Sequence, residues 1–226
     1  MTRKLAVCLV SGGLDSCVAA AMAAGNYRPA FLHGSYGQRT EEREMRAFND
    51  LADFFSVPGE LRLVVSLDHF RRIGGSSLTV SGAEIPAGAA APGRIPSTYV
   101  PFRNANLLAL AVSWSEVIGA QRIFIGAMEE DSSGYPDCRE EFFRAFNRAV
   151  ELGTAPGSEI AVEVPLIHLT KAEVVLMGMK IGAPLHLTWS CYSSSGPRPC
   201  GTCASCRLRA RGFREAGVPD LSLIHI

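Results

Sequence analysis

The sequence predicts an α/β fold, a doubly wound parallel sheet closed by a small C-terminal knuckle. Three observations carry this reading. Short apolar runs alternate with segments of helical periodicity, the first run passes straight into a glycine turn and a helix, and four of the seven cysteines crowd into 16 residues near the end. Strands separated by helices are joined by crossovers. The sheet is therefore parallel, and ligands belong beyond the carboxyl ends of its strands.

The first buried strand is Leu5 to Val10, and Ser11-Gly12-Gly13-Leu14-Asp15-Ser16 follows it. An alanine-rich helix opens near Asp15 or Ser16 and stops at Gly25-Asn26. Ala30 to His33 is the second strand, Gly34 to Arg39 a loop, and Thr40-Glu41-Glu42 a helix start with favourable acidic chemistry. Met45, Phe48, Leu51, Ala52 and Phe55 recur at helical spacing, which reads as core packing. Leu61 to Val65 is the third strand. From Gly74 to Ser97 glycine, alanine, serine and proline dominate, the mark of a long loop that is either a lid or disordered. A helix from Ala105 to Ile118, a strand from Arg122 to Gly126, a polar loop from Glu129 to Cys138, a helix from about Glu140 to Leu152 and a strand from Ile160 to Val164 complete the sheet. The loops after the strands should meet in one cleft.

With 226 residues and 47% hydrophobic content the chain can bury a full core. Its 22 basic and 22 acidic residues cancel, so no global field gathers nucleic acid. No signal peptide and no apolar run of membrane-spanning length is present, which makes a cytoplasmic location the expectation. Seven cysteines in that compartment point to metal rather than disulfides.

The glycine turn is an anion site by construction. A helix start leaves N–H groups without partners, and two glycines let a phosphate approach the main chain. No Gly-x-x-x-x-Gly-Lys-Ser/Thr and no Gly-x-Gly-x-x-Gly occurs, so the turn suits a pyrophosphate rather than a transferring terminal phosphate. Cys191, Cys200, Cys203 and Cys206 form Cys-x8-Cys-x2-Cys-x2-Cys, with Gly196, Pro197, Pro199 and Gly201 turning the chain between them. Four thiolates so close match a closed tetrahedral zinc site of structural type, with an iron–sulfur cluster as the competitor. Cys8 and Cys17 fall on core faces and read as small hydrophobes, while Cys138 lies by the cleft. The five histidines show no ligand spacing.

Ser11 to Ser16, in its strand-turn-helix setting, resembles the signature loop of the ATP-pyrophosphatase (PP-loop) superfamily. Further blocks are Tyr36-Gly37-Gln38-Arg39, Tyr99-Val100-Pro101-Phe102-Arg103-Asn104, Ser133-Gly134-Tyr135-Pro136-Asp137-Cys138-Arg139, Leu169-Thr170-Lys171-Ala172-Glu173 and the four cysteines. With these in order, the chain from Lys4 to about Asp220 resembles the 7-cyano-7-deazaguanine synthase family of queuosine biosynthesis. The resemblance implies a Rossmann-like, adenine nucleotide alpha-hydrolase-like domain over 1–185 and a zinc-binding segment over 186–220. It implies a carbon–nitrogen ligase that makes 7-cyano-7-deazaguanine from 7-carboxy-7-deazaguanine, ammonia and ATP with Mg2+, one zinc per chain, a homodimer, and neither nucleic acid nor membrane as partner.

Residues follow from the matching blocks. Val10, Ser11, Gly12, Gly13, Leu14, Asp15, Ser16, Cys17 and Val18 form the ATP loop, and Asp15, Ser16 and Lys171 are the catalytic candidates. Gly12, Gly13 and Ser16 would hold the departing pyrophosphate, and Asp15 either caps the helix or positions magnesium. Arg39, Arg103, Tyr135 and Asp137 are candidate substrate contacts, with Arg39 and Lys171 favoured as phosphate or substrate ligands; Phe102 and Tyr135 are candidate platforms for the deazapurine. The competing readings are a sulfur-delivering, tRNA-adenylating enzyme of the same superfamily and a zinc-dependent nucleic-acid-binding module. Two features depart from the family: Gly34-Ser35 precedes Tyr36, and residues 221–226, Leu-Ser-Leu-Ile-His-Ile, read as a translated sequencing adapter set apart from the fold.

Overall fold

A computed structural model describes residues 3–80, 83–85, 94–129, 134–194 and 196–223. Parts of the long loop, Ser133 of the fourth family block and Ile224 to Ile226 of the tail lie outside these residues.

Five parallel strands form one sheet in the order β3-β2-β1-β4-β5. They are β1 (Leu5–Leu9), β2 (Arg28–Ser35), β3 (Arg62–Ser66), β4 (Arg122–Ile125) and β5 (Ala161–Glu163), at the five places the apolar runs predict. The central strand β1 is covered on both faces, so Ala6, Val7, Cys8 and Leu9 are all buried and the strand reads as a continuous apolar run. At one edge β3 shows half-exposed residues such as Val64. At the other, Asn147 shields β5: its amide accepts from Val162 N–H at 2.7 Å and donates to Val162 O at 3.0 Å. That contact satisfies backbone groups that an edge strand leaves open.

The helices are α1 (Leu14–Asn26), α2 (Glu41–Phe54), α3 (His69–Ile73), α4 (Arg103–Ile118), α5 (Glu140–Gly153), α6 (Lys171–Lys180) and α7 (Ala204–Glu215). Helix α1 opens at Leu14, one residue before the expected start. Its small residues Ser16, Cys17, Ala19, Ala20 and Ala23 are buried, which lets it lie close to the sheet and to α6. Closeness is strictest at Gly126, where an added Cβ would lie 2.5 Å from the Asp15 carbonyl carbon. In α2, Phe48, Leu51 and Ala52 are buried as their spacing predicts, with Met45 and Phe55 packed against the same core.

Three helices were not anticipated. Helix α6 carries a legible start, a capping box in which Thr170 Oγ1 accepts from Glu173 N–H while Glu173 accepts from Thr170 N–H. Helix α3 is a single short turn, and α7 begins among the cysteines. The long loop is tied at its base, where Ser77 N–H donates to Ser97 O at 2.8 Å. Among the described residues no helix is long and apolar enough to cross a membrane.

Candidate active site

The strand order reverses at β1, whose neighbours are β2 and β4, and this is where a doubly wound sheet leaves a crevice. The glycine turn occupies it. Gly12 has φ +87, a left-handed conformation that a side chain resists, and a Cβ there would stand 2.8 Å from the Glu44 carbonyl oxygen. Gly13 is the N-cap of α1 and offers no side chain, so the first-turn N–H groups have no cap. Hydroxyls brace the turn instead: Ser16 donates to Gly13 O at 2.9 Å and Ser11 donates to Ser16 Oγ at 3.2 Å. Free N–H groups at the positive end of a 13-residue helix make an anion cradle.

Asp15 is not the cap, because the helix has already begun. Its carboxylate instead accepts from Lys171 Nζ at 2.7 Å, across 156 residues of sequence. Lys171 is buried at the first position of α6, where the helix dipole opposes a cation, and the Asp15 charge offsets that penalty. Its stem also packs against Gly212 of α7, where any Cβ would collide with it. Lys171 thus stands behind Asp15, which itself lines the cleft. It positions the carboxylate.

Above the turn lies a cleft of about 230 Å³, walled by the ends of β1, β2 and β4 and by Tyr36, Glu44, Arg103, Asn104, Tyr135, Cys138, Trp189 and Tyr192. Arg103 donates to the Tyr36 phenol at 2.8 Å and lies over its ring. Burial raises the Tyr36 phenol above its ordinary range, and the nearby Glu44 adds to this against the opposing charge of Arg103. Burial likewise raises Tyr135, whose hydroxyl meets Thr98 at 2.7 Å. Both phenols are neutral at physiological pH.

The remaining sequence candidates divide. Val10, Ser11, Gly13, Leu14, Asp15, Ser16, Arg103 and Tyr135 line the cleft, with Gly12 behind it against α2. Cys17 and Val18 point into the core, and burial pushes the Cys17 thiol up to about 12. Arg39 is exposed away from the cleft lining and donates to the carbonyls of Val80 and Ala83, so it anchors the long loop. Asp137 is buried and accepts from Asn104 N–H at 2.9 Å, so it supports the start of α4; burial raises its carboxyl against that hydrogen bond. Phe102 is 59% exposed and meets Phe142 edge-on outside the cleft. Ser35 is buried and donates to Glu41, a structural use for that residue.

Sequence reasoning missed Glu44, Trp189 and Tyr192. Glu44 lies four residues beyond Thr40 on α2 and passes as ordinary first-turn acid. Trp189 lies in an irregular strap, where its backbone N–H donates to Gly12 O at 2.8 Å and Arg43 stacks on its ring at 4.2 Å.

The strap leads directly into the cysteines. The sulfur atoms of Cys191, Cys200, Cys203 and Cys206 all lie within 4.8 Å of one another. A tetrahedral ion with bonds of about 2.3 Å to sulfur sets neighbouring sulfurs about 3.8 Å apart; those of Cys200 and Cys206 are 3.9 Å apart. Backbone N–H groups of Ser193, Ser194 and Cys200 donate to Cys191 Sγ, and that of Cys203 to Cys200 Sγ. Cys203 is the N-cap of α7 and Cys206 sits in its first turn. Amide donors and a helix N-terminus both favour thiolate over thiol, so the donor set fits a metal ion.

Comparison with known proteins agrees with this geometry. Residues 5–217 match the family model described as queuosine biosynthesis protein QueC. A 7-cyano-7-deazaguanine synthase of Acidobacterium capsulatum is 53% identical over 222 residues, covering 96% of this chain and 95% of the relative. One of Chlorobium phaeobacteroides is 52% identical over 221 residues, covering 95% and 94%. Among solved structures, the tRNA thiolase NcsA of Methanococcus maripaludis with its 4Fe-4S cluster is similar with a TM-score of 0.50 at 12% identity, over 95% of this chain and 66% of NcsA. That likeness concerns the fold alone. With the glycine turn, the parallel sheet and the cysteine cluster all within the matched span, the chain belongs to the QueC family of queuosine biosynthesis.

Proposed function

We propose that this chain is a carbon–nitrogen ligase that converts 7-carboxy-7-deazaguanine and ammonia into 7-cyano-7-deazaguanine at the expense of ATP. The observation that carries the reading is the uncapped, glycine-built start of α1 facing a cleft at the switch point of the sheet. A carboxylate resists ammonia because oxide is a poor leaving group, and a primary amide keeps its oxygen for the same reason. The carboxylate oxygen attacks the α-phosphorus of ATP and expels pyrophosphate, and ammonia displaces AMP from the resulting acyl adenylate. The amide oxygen is adenylated in turn and leaves as AMP while the nitrogen loses its protons to give the nitrile, so two adenylations take place at one site. The N–H groups at the head of α1, with Ser11 and Ser16, hold the pyrophosphate as it leaves, where negative charge develops. Asp15, steadied by Lys171, lines the phosphate side of the cleft and is the residue to hold magnesium with ATP. Arg103 meets the substrate carboxylate, and Tyr135 and Tyr192 offer rings to its heterocycle.

Cys191, Cys200, Cys203 and Cys206 would hold one zinc ion, whose contribution is folding energy rather than chemistry. The functional unit is a cytoplasmic homodimer, and residues 221–226 are foreign to the domains that precede them, although Ser222 donates to Asp220 through both its N–H and its hydroxyl. Incubation of the purified chain with the acid, ammonia and ATP tests the reading. Release of AMP and pyrophosphate, with a nitrile product by mass spectrometry, is expected. Release of ADP and phosphate alone would exclude adenylation.

A further inference from the structure

Arg103 and Glu44 line the same confined cleft, yet among the described residues neither has an ion-pair partner. Arg103 is held by the neutral Tyr36 phenol. Glu44 is held by the Thr40 hydroxyl at 2.6 Å on one oxygen and by the Gln38 amide at 2.9 Å on the other. Gln38 is itself oriented, because its own oxygen accepts from Tyr36 N–H at 2.8 Å. A cation and an anion taken partly out of water without pairing represent an unmet cost, which a ligand carrying the complement of both would offset.

Building on the functional reading above, we propose that Glu44 determines specificity for the donor edge of the substrate heterocycle. 7-Carboxy-7-deazaguanine carries its carboxylate on the five-membered ring and two adjacent donors, a ring N–H and an exocyclic amine, on the six-membered ring. Each Glu44 oxygen already accepts one hydrogen bond and retains acceptor capacity for another. Two acceptors side by side match two donors side by side, while Arg103 takes the acid. Adenine fits less well. It presents one amine flanked by ring acceptors, so one Glu44 oxygen would face a lone pair, and the ATP phosphates repel a carboxylate outright.

The test uses the metal-loaded full chain and two acids, the substrate and its analogue without the exocyclic amine, 7-carboxy-7-deazahypoxanthine. The wild type is expected to process the analogue with kcat/KM lower by about 10- to 100-fold, the discrimination typical of a bidentate contact. Glu44→Gln should raise KM for the substrate by a similar factor, bring the discrimination close to unity, and leave KM for ATP within about twofold, which also reports that the variant is folded. Glu44→Asp, which keeps both oxygens, should retain discrimination at weaker binding. A Glu44→Gln variant that discriminates as sharply as the wild type overturns the assignment, and one whose KM for ATP rises instead gives Glu44 to the nucleotide ribose. A wild type that releases no pyrophosphate from either acid overturns the functional reading, and this assignment with it.

Discussion

The glycine turn and the cysteine knuckle are both small, and they are built in opposite ways. The turn is made by main chain: Gly12 takes a left-handed φ of +87, α2 backbone closes behind it, and α1, packed on the large apolar core, supplies N–H groups. The knuckle is made by side chains. Around its four sulfurs the apolar cluster holds little beyond Ala47, Trp189 and the cysteines themselves. A site shaped by backbone can be damaged without unfolding its surroundings, whereas a site shaped by ligand bonds loses its structure with the ligand.

Three experiments test that contrast. The largest effect is expected from Cys203→Ser, which removes one sulfur of the cluster while leaving a residue that can cap α7. The variant should lose stoichiometric metal by elemental analysis and melt lower by at least about 10 °C, since structural zinc contributes several kcal/mol or more to a small fold. Equal melting of variant and wild type would show that the knuckle holds itself together. Gly12→Ala comes next, with a cost of roughly 2 kcal/mol from the left-handed backbone and the contact with the Glu44 carbonyl. Pyrophosphate release should fall by about 100-fold or more while metal content stays at the wild-type level. A loss of metal in that variant would erase the distinction between the two regions.

The smallest effect concerns the joint between them. Arg209 of α7 donates to Thr188, Ser190 and Leu185 O in the strap and is paired with Asp220 at 2.6 Å. Burial pushes the Asp220 carboxyl up, but the hydrogen bonds and charge of Arg209, with help from Ser222, hold it below the ordinary carboxylate range. A lowered folded pKa stabilises above the unfolded value of about 3.9 and ceases to do so as pH falls through the folded one. Denaturant titrations should therefore show about 1 kcal/mol lost below about pH 4 in the wild type. In Asp220→Asn that component of the acid loss should be missing; an identical pH profile would remove the pair from the account.

The same contrast explains what could be read from the chain. All five strands are legible because each is a short apolar run bounded by turns, and the glycine turn because its chemistry is contiguous. The knuckle is legible because four cysteines within 16 residues have few other uses. Glu44 and Trp189 were not legible: their roles depend on α2 and the strap arriving beside β1, which no local pattern states. The Asp15–Lys171 pair spans 156 residues and shows only as two charged residues in separate blocks. Arg39 and Asp137 reached the list of candidates as charges near strand ends, and the structure uses them to hold a loop and a helix start.

The bond from Trp189 N–H to Gly12 O spans nearly the whole chain. During synthesis β1, β2 and β3 can pair soon after they leave the ribosome, since they follow one another in sequence, while β4, more than 110 residues beyond β1, and then β5 join later. The glycine turn cannot be finished then. Its carbonyl waits for a partner encoded 177 residues later, about nine to 35 seconds of elongation at ordinary rates of about 5 to 20 residues per second. Nascent chains thus cannot close this bond across the glycine turn until the strap has emerged.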